Sequence, residues 1–593
     1  MPLPMNKRQL RNFSLLRGLI PVFILLASAA LAPDALAAGS SYAPAPVLGP
    51  GDYPAVKAVN PRLAVWLAAQ MHVWFAAFVL AVPIFVVILE CIGVVKKDRR
   101  YDRVAYEFLR VSITAFSLTA ITGGILIAAL IVFYPDLMKY LASIFGPTAI
   151  FYAIFFFLET AALYTYFYGW KRMAEGRLKL LHLAVGLGLN LSGTGLMFVA
   201  NAWVTFMMTP SGVDAAGVFS GNLWEAVNNH LWSPMNLHRF IANIAYGGSI
   251  VGAYAAYRFL GASGEEERAH YDWMGYTASL IAIGALLPLP FAGYWLTAEI
   301  YAFSQQMGIT LMGGVFAWLF IIQAVIIGAL FLAANYYLWC GFGRGGYGAA
   351  YFKYVKYIAL VVAASFLVWF TPHTLILTPS EARALGGQYH PYLGPLGLMP
   401  AKNTAVNIML LFTFLSFLLY RRAHRRPAVQ WVRYGNALQA GLFTAAVANI
   451  AFLGIYYGYF TNTVYKVASS VPQVATTLFV IVACLVIEWL MARGGKSEDF
   501  KWGRMPERSQ YALILIAVSF TWLMGLMGFV RSAIRQHWHV YSVMKDASAD
   551  AFTPSIAYAA KVVSAGTVVF LAIIVFIFWL GGMGKRKEAG KDG

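Results

Sequence analysis

The sequence predicts an all-α, multi-pass membrane protein with about thirteen transmembrane helices, its N-terminus outside and its C-terminus inside the cell. Three observations carry this prediction: 60% of the 593 residues are hydrophobic, only 12% are charged, and long apolar stretches follow one another along the chain. A soluble globular domain carries about 25% charged residues, so that class is excluded. The apolar stretches are continuous rather than alternating, which favours helices, since a segment in lipid must satisfy its backbone hydrogen bonds internally.

The first 37 residues are predicted to be a cleavable secretory signal peptide. Four basic residues between positions 7 and 17 precede an apolar run from Leu19 to Leu31, and the small residues of Ala35-Leu36-Ala37 follow. A basic, then an apolar, then a small-residue segment is typical of secretory signals. Cleavage after Ala37 leaves the mature N-terminus outside the cytoplasm.

Thirteen further apolar stretches are each long enough to cross a bilayer, which takes about 20 helical residues. They lie near residues 62–95, 105–134, 147–170, 179–206, 237–260, 275–296, 308–338, 352–376, 403–420, 437–460, 473–492, 509–531 and 560–582. An odd number of spans after an outer N-terminus places the C-terminus in the cytoplasm.

The net charge of +19 is distributed as in a membrane protein rather than a nucleic-acid-binding protein. Basic residues concentrate in the predicted cytoplasmic loops, as in the run from Arg421 to Arg426, whereas residues 207–236 on the opposite side contain no Lys or Arg. This is the positive-inside bias. It predicts a protein of the bacterial inner membrane that contacts lipid and has no nucleic-acid partner.

The three cysteines exclude two kinds of site. Cys91, Cys340 and Cys484 lie near predicted cytoplasmic helix ends, so a periplasmic disulfide is not expected. The chain has no Cys-x-x-Cys-His sequence for covalent haem attachment. Any haem is therefore held by side-chain ligation alone.

Glu159 lies in the middle of an apolar stretch, after Phe155-Phe156-Phe157-Leu158. A carboxylate at membrane depth costs roughly 2.5–3.5 kcal/mol by insertion scales, and such groups commonly handle protons or ions. The alternative is a neutral glutamic acid that is hydrogen-bonded between helices.

Seven histidines fall at or near the predicted periplasmic face. They are His72, His238 and His373 at the outer ends of spans, and His230, His390, His537 and His539 in outer loops. Histidine is the usual axial ligand of haem b. Taken singly, each is compatible with an ordinary interfacial histidine; together they suggest a redox centre near this face. We interpret His182, His270 and His424, which lie on the cytoplasmic side, as structural.

Four groups of residues occur in order between positions 62 and 260. They are Arg62, His72 and Glu90 with Pro83 between them; Phe156-Phe157-Leu158-Glu159-Thr160 with Tyr168-Gly169-Trp170-Lys171-Arg172; Leu189-Asn190-Leu191-Ser192 with Val199-Ala200-Asn201-Ala202-Trp203; and His238. Together these groups resemble subunit I of the cytochrome bd quinol oxidases. The resemblance implies that His72 and His238 ligate haem iron, that Asn201 belongs to the cofactor site, and that Glu159 lies on a proton path.

The resemblance weakens after residue 260. Residues 275–460 form additional or divergent spans without the family's long hydrophilic quinol loop, and residues 473–582 form three helices. Within the latter, Arg535-Gln536-His537-Trp538 resembles a degraded form of the family's Gly-Arg-Gln-Pro-Trp signature, so Arg535 and Trp538 are cofactor-site candidates. Ser532 stands where the family has a glutamate haem ligand, and Phe151 where it has a second buried carboxylate.

The second ligand of the His238 haem remains open between two alternatives. By resemblance, Met409 in Asn407-Ile408-Met409 supplies it, but another alignment places Ile481 there. In that case His373, at the same depth, makes a bis-histidine haem with His238.

The resemblance implies a haem-binding respiratory subunit and an oxidoreductase. It would carry electrons from a periplasmic cytochrome c or from quinol, with oxygen as the acceptor and proton uptake through Glu159. The expected cofactors are one or more haem b, with a second haem of b or d type, and other respiratory subunits as partners. Copper bound by the additional histidines His373, His390, His537 and His539 is a further alternative. An electron-transfer subunit that does not reduce oxygen, a haem-free scaffold and a transporter also remain open.

Overall fold

A computed structural model describes residues 44–589 except 55–59, 313–315, 345–346, 372–395, 397, 426, 428, 494–500 and 552–555. The predicted signal peptide, His373 and His390 lie outside the described residues. We call the end of the helices that the sequence predicts to face the periplasm the outer end, and the opposite end the inner end.

Helices account for nearly all regular structure in the described ranges. The α-helices are α1 (Pro61–Lys96), α2 (Arg99–Phe133), α3 (Pro135–Gly169), α4 (Gly176–Phe206), α5 (Leu223–Val227), α6 (Trp232–Leu260), α7 (Glu265–Leu286), α8 (Leu289–Phe303), α9 (Gln305–Met312), α10 (Ala317–Gly341), α11 (Phe352–Phe370), α12 (Met399–His424), α13 (Val432–Phe452), α14 (Thr463–Ala468), α15 (Ser470–Met491), α16 (Glu507–Ala533) and α17 (Ile556–Ala589). Short 3₁₀ turns lie at Pro50–Asp52, Phe342–Arg344 and Gly348–Ala350, and a π-helical turn at Leu453–Tyr457 extends α13.

The prediction of an all-α polytopic membrane protein is confirmed. Among the described residues, eleven helical segments are long and apolar enough to cross a membrane, with α7 and α8 counted as one segment. Helices α6 and α17 cover the other two of the thirteen apolar stretches.

Helix α1 is the centre of a first set of helices. It packs against α2, α4, α6, α16 and α17, and the α3 and α4 pair closes the set on one side. Trp74 of α1 is fully buried; its Nε1 donates to the carbonyl oxygen of Thr521 at 3.1 Å and its ring lies 4.8 Å from that of Phe570. The apolar core of this set therefore extends from α1 to the C-terminal helices.

Helix α12 is the centre of a second set, in which it packs against α10, α11, α13 and α15. Helix α16 packs against both α6 and α10, so it joins the two sets. At the inner end, the guanidinium of Arg422 donates to the buried carboxylate of Glu488 at 2.8 Å and to Gln439 at 2.6 Å, which links α12, α13 and α15.

A small cap covers the outer end of the first set. It consists of strands β1 (Trp538–Val540) and β2 (Met544–Lys545), which pair antiparallel, together with residues 44–53. The amide of Tyr541 donates to the carbonyl oxygen of Met207 at 2.9 Å, and the amide of Ala45 donates to Gly217 at 3.0 Å. These contacts hold the cap over the outer ends of α1, α4 and α16.

A buried ion pair connects the two sets of helices at the inner end. Arg344 Nη2 lies 2.6 Å from Asp272 Oδ1, and both side chains are at most 1% exposed. The amide of Gly503 donates to the other carboxylate oxygen at 2.9 Å.

We predict that Arg344→Leu lowers the free energy of unfolding by about 3–5 kcal/mol, because it leaves the buried Asp272 carboxylate without its cation. The measurement is unfolding of the detergent-solubilised protein. The matched control is Arg99→Leu, which breaks the pair between Arg99 and Glu175 whose side chains are 90% and 79% exposed. We expect that control to cost less than about 1 kcal/mol. Equal losses in both variants would contradict the assignment of a structural role to the buried pair.

Candidate functional site

His72 of α1 is held in one tautomer by helix α2. Its Nδ1 lies 3.0 Å from the carbonyl oxygen of Thr119. A carbonyl oxygen only accepts, so Nδ1 carries the hydrogen and Nε2 keeps its lone pair. A backbone carbonyl that fixes Nδ1–H in this way is typical of a histidine that ligates a metal through Nε2.

Gly123 allows this arrangement because it has no side chain. A Cβ atom at position 123 would lie 2.9 Å from His72 Cε1, closer than real contacts permit. The ring of His72 therefore lies directly against the backbone of α2, and any larger residue at position 123 would displace it.

His238 lies in the second turn of α6 and faces α8. A Cβ atom at Gly293 would lie 3.6 Å from His238 Nε2. Neither ring nitrogen of His238 has a hydrogen-bond partner in the part of the chain that the structure describes. Its nitrogen lone pair is thus available to a ligand.

Asn201, predicted from the third group of residues, connects α4 to the residues beside His238. It is fully buried; its Nδ2 donates to Asn236 Oδ1 at 2.6 Å, and its Oδ1 accepts from Arg239 Nη1. Asn236 Nδ2 is left buried without a protein partner. Arg239 directly follows His238 in α6, so Asn201 holds a cation next to this histidine.

Arginines are grouped at the outer end of the first set. Arg531 Nη1 is buried without a partner among the described residues. Asp546 Oδ2 lies 3.9 Å from Arg62 Nη1. Burial, together with the charges of Arg531 and Arg62, lowers the pKa of Arg535 to about 9.

Two neutral donors are also buried without partners in this region. They are Trp66 Nε1 and Gln70 Nε2, both on α1. Trp66 packs against Phe529 of α16 with ring centroids 6.4 Å apart, and Gln70 lies against Gly528 of the same helix. Unpaired buried donors and cations are costly unless an acceptor satisfies them. The outer end of the first set is therefore suited to an anionic group.

The degraded C-terminal signature lies where α16 ends and the cap begins. Arg535 donates through Nη1 to the carbonyl oxygen of His539, and Gln536 has a left-handed backbone with φ of 52°. Trp538 begins β1, and its ring lies 6.4 Å from that of Tyr541. Ser532 donates to the carbonyl oxygen of Gly528 in its own helix at 3.3 Å.

Glu159 is 4% exposed and faces α4. A Cβ atom at Gly193 would lie 2.8 Å from Glu159 Oε1, so the close approach of α4 requires glycine there. No hydrogen bond joins the Glu159 carboxyl to another described residue. The alternative of a carboxyl that is hydrogen-bonded between helices thus finds no support in the described part of the chain. Phe151 lies on the same helix, two turns nearer the outer end.

Met409 and Ile481, the two alternatives for the second ligand, both lie in the core of the second helix set. Met409 is fully buried in α12, and Ile481 is buried in α15. His238 is on α6, which packs against α1, α4, α7, α8 and α16 instead. The methionine ligand and the bis-histidine alternative with His373 both stay predictions.

The described residues contain no group of three or more His, Cys, Asp or Glu side chains placed to hold a metal ion. His539 is a structural part of the cap: its Nε2 lies 2.9 Å from the hydroxyl of Tyr53 and 3.4 Å from Asp546 Oδ1. Burial raises the pKa of Tyr53 to about 12, so its hydroxyl keeps its proton at neutral pH. The copper alternative stays a prediction, since His373 and His390 lie outside the described residues.

Sequence reasoning missed three features of this region. Arg239 was overlooked although it follows His238 directly, and Gly123 and Gly193 were overlooked because glycine carries no chemistry of its own. The interpretation of His182 as structural also overlooked its spacing from Lys179, Gly186, Asn190 and Gly193. These residues recur every three or four positions, the spacing of one helix face.

Comparison with known proteins finds a family model that matches part of the chain. Residues 61–317 match the family model described as cytochrome bd terminal oxidase subunit I. Among solved structures, the chain is similar to a chain of the bd oxidase from Geobacillus thermodenitrificans, with 13% identity, a TM-score of 0.40, and coverage of 73% of this chain and 98% of that one. No curated protein matches the sequence.

We predict that the cap loses stability in mild acid through His539. Burial lowers the pKa of His539 to about 4, while an unfolded histidine titrates near about 6.5. The stabilisation by neutral His539 is fully present above about pH 6.5 and is lost as the pH falls toward 4. At pH 5 the loss in the free energy of unfolding is about 2 kcal/mol. Unfolding at pH 7 and pH 5 should therefore differ more in the wild type than in His539→Gln. Equal differences in the two proteins would contradict this role.

Proposed function

We propose that this chain, whose residues 61–317 belong to the cytochrome bd oxidase subunit I family, is a haem-binding subunit of a respiratory oxidoreductase. The observation that carries the proposal is His72, with its Nε2 lone pair free, together with the buried and unpaired Nη1 of Arg531 at the same end of the bundle. A haem would present its iron to His72 and its two propionates to the arginine.

The residues of the outer end fit a haem. His72 and His238 supply imidazole nitrogens for iron, as in other haem b proteins. Arg239, Arg531 and Arg535 supply guanidinium donors, which bind carboxylates well because they form paired, charge-assisted hydrogen bonds. One or more haem b would be held here, and a second haem of b or d type remains compatible with two separate histidines.

When bound, haem supplies one-electron transfer and, at an open iron position, a site for oxygen. The protein residues contribute position and protons. Thr119 orients the imidazole of His72, and Asn201 holds Arg239 next to His238. Glu159 receives a proton at its carboxylate and releases it toward the outer end, which is the direction of the histidines along α3.

The partners follow from the surfaces of the bundle. The outer half of α2 exposes apolar side chains, among them Ile121, Ile125 and Ile131, which suits contact with lipid or a second membrane subunit. The proposed haem region lies beneath the cap at the outer end, so electrons from a periplasmic cytochrome c have a short route. Quinol remains the other donor. The proposed location is the bacterial inner membrane.

A second candidate function is an electron-transfer haem subunit that does not reduce oxygen. It is favoured by Ser532, whose hydroxyl donates to its own helix where the family has a glutamate ligand. Phe151 in place of a second buried carboxylate favours it as well. This candidate keeps the histidine and arginine sites and omits oxygen chemistry.

We predict that the purified protein has a Soret band and that His238→Ala loses a low-spin haem signal in the reduced-minus-oxidised spectrum. The physical reason is the loss of an axial ligand. The matched control is His230→Ala, which removes an outer-loop histidine whose Nε2 lies 2.8 Å from Glu299. A wild-type protein without haem would reject the proposed function, whereas an unchanged His238→Ala spectrum would reject only this ligand.

We predict that oxygen consumption is faster with reduced cytochrome c than with quinol, because the proposed haem region lies at the outer end. Glu159→Gln should lower the rate by about 10²-fold or more, the usual contribution of a positioned proton donor, while the haem spectrum stays unchanged. No oxygen consumption with either donor, in a protein that contains haem, would favour the electron-transfer subunit.

A further inference from the structure

A buried, hydrogen-bonded group of side chains lies at the inner end of α1, α3 and α4. Glu90 is fully buried and receives three contacts: Tyr166 Oη at 2.5 Å, His182 Nδ1 at 2.6 Å and Lys179 Nζ at 2.7 Å. Lys179 continues to Asp102 Oδ1 at 2.9 Å. We call this group the inner cluster; its members are Glu90, Asp102, Tyr166, Lys179 and His182.

The inner cluster extends from the solvent boundary to the interior. The side chain of Asp102 is 30% exposed, that of Lys179 is 10% exposed, and that of Glu90 is not exposed. A proton arriving at the inner surface therefore finds a continuous series of polar atoms that ends at a buried carboxyl group.

His182 and Glu90 share one mobile proton. His182 Nε2 lies 2.8 Å from the carbonyl oxygen of Tyr166, which only accepts, so Nε2 carries a hydrogen. His182 Nδ1 faces Glu90 Oε1, and the proton between these two atoms belongs either to an imidazolium or to a carboxylic acid. Moving it from one to the other changes the charge on both groups without moving either side chain.

One face of α4 connects the inner cluster to Glu159. Gly186 lies against the ring of Tyr166, where a Cβ atom would approach within 2.9 Å, and Gly193 lies against Glu159. Tyr166 and Glu159 are seven residues apart on α3, which is a rise of about 10.5 Å along the helix axis. No hydrogen bond joins Glu159 to the inner cluster among the described residues, so a proton passing between them requires an intermediate carrier.

Asn190 lies between the two ends of this face. Its Nδ2 donates to the carbonyl oxygens of Pro83 at 3.1 Å and Gly186 at 2.9 Å, while its Oδ1 is buried without a protein partner. A buried acceptor without a donor, such as Asn190 Oδ1, is satisfied by an ordered water.

A second buried carboxylate at the inner end provides an internal comparison. Glu107 accepts from Tyr254 Oη at 2.9 Å and Tyr271 Oη at 3.1 Å, and lies 3.1 Å from His270 Nε2. These partners are on α6 and α7. The partners of Glu90 are on α3 and α4. Glu159 is on α3 and faces α4.

We propose that the inner cluster collects protons at the inner surface and passes them to Glu159 through a water held at Asn190. A proton taken up by the cluster is stored between Glu90 and His182, moves to the water and then to the Glu159 carboxylate. The pair returns to its starting state when the next proton arrives, and no electron moves. The proposal rests on the proposed function, because it specifies the source of the protons that Glu159 uses.

This route explains how Glu159 can still receive protons although Phe151 stands where the family has a second buried carboxylate. Phe151 lies on the outer side of Glu159, whereas the inner cluster, Gly186 and Asn190 lie on its inner side. The lost carboxylate therefore leaves the inner half of the route intact.

The first test measures proton uptake with a pH-sensitive dye in proteoliposomes during one turnover of the haem-loaded protein. We expect Glu90→Gln and Asn190→Leu to slow uptake about tenfold or more with an unchanged haem spectrum. Asn190→Ser, which keeps a small polar group, should recover most of the rate, and the matched control Glu107→Gln should stay within twofold of the wild type. Equal slowing by Glu107→Gln, or wild-type uptake in Asn190→Leu, would overturn the route.

The second test does not depend on haem. An experimental map that resolves ordered water should contain a water against Asn190 Oδ1, and that density should be absent in Asn190→Leu. A dry Asn190 in the wild type would overturn the proposal. A wild-type protein without haem would instead reject the proposed function, so the two failures are distinguishable.

Discussion

The structure depends on the cost of placing charge inside an apolar bundle. A buried charge is tolerated when an opposite charge or a set of hydrogen bonds satisfies it. At the inner end this condition is met: Glu90 has three donors, and Asp272 has Arg344 and a backbone amide. At the outer end, Arg531 Nη1 is buried without a partner among the described residues, and Trp66 Nε1 and Gln70 Nε2 are unpaired as well. An anionic group bound there would supply the acceptors that these donors lack.

Close helix contacts determine where the polar groups can point. Gly123 brings α2 against the ring of His72, and Gly193 brings α4 against the carboxyl of Glu159. Both glycines remove a side chain at the point where a polar group of the neighbouring helix lies. Pro83 of α1 also takes part in such a contact, because its carbonyl oxygen accepts from Asn190 Nδ2 of α4 at 3.1 Å. Glycine and proline residues therefore shape the candidate sites as much as the ionisable residues do.

The histidines illustrate which features of the site follow from the sequence and which do not. Depth along a span predicts different sides of the membrane for the outer histidines and for His182, His270 and His424, because hydropathy reports position across the membrane. It did not reveal that His182 is bonded to Glu90 or that His539 is part of the cap, since those partners lie 92 and 7 residues away, respectively. The hairpin at residues 538–545 was also not anticipated, because its strands are too short to show an alternating pattern.

The sequence by itself determined the membrane class, the helical segments and the resemblance of residues 61–317 to one family model, because these follow from continuous hydrophobicity and from ordered local motifs. Only the tertiary structure decided which polar groups meet. Hydrogen bonds such as those from His72 to the carbonyl oxygen of Thr119 and from Asn190 to the carbonyl oxygen of Pro83 join residues 47 and 107 positions apart. Pairing at that separation is determined by helix packing, in which rotation of a helix by one residue turns a side chain toward a different neighbour.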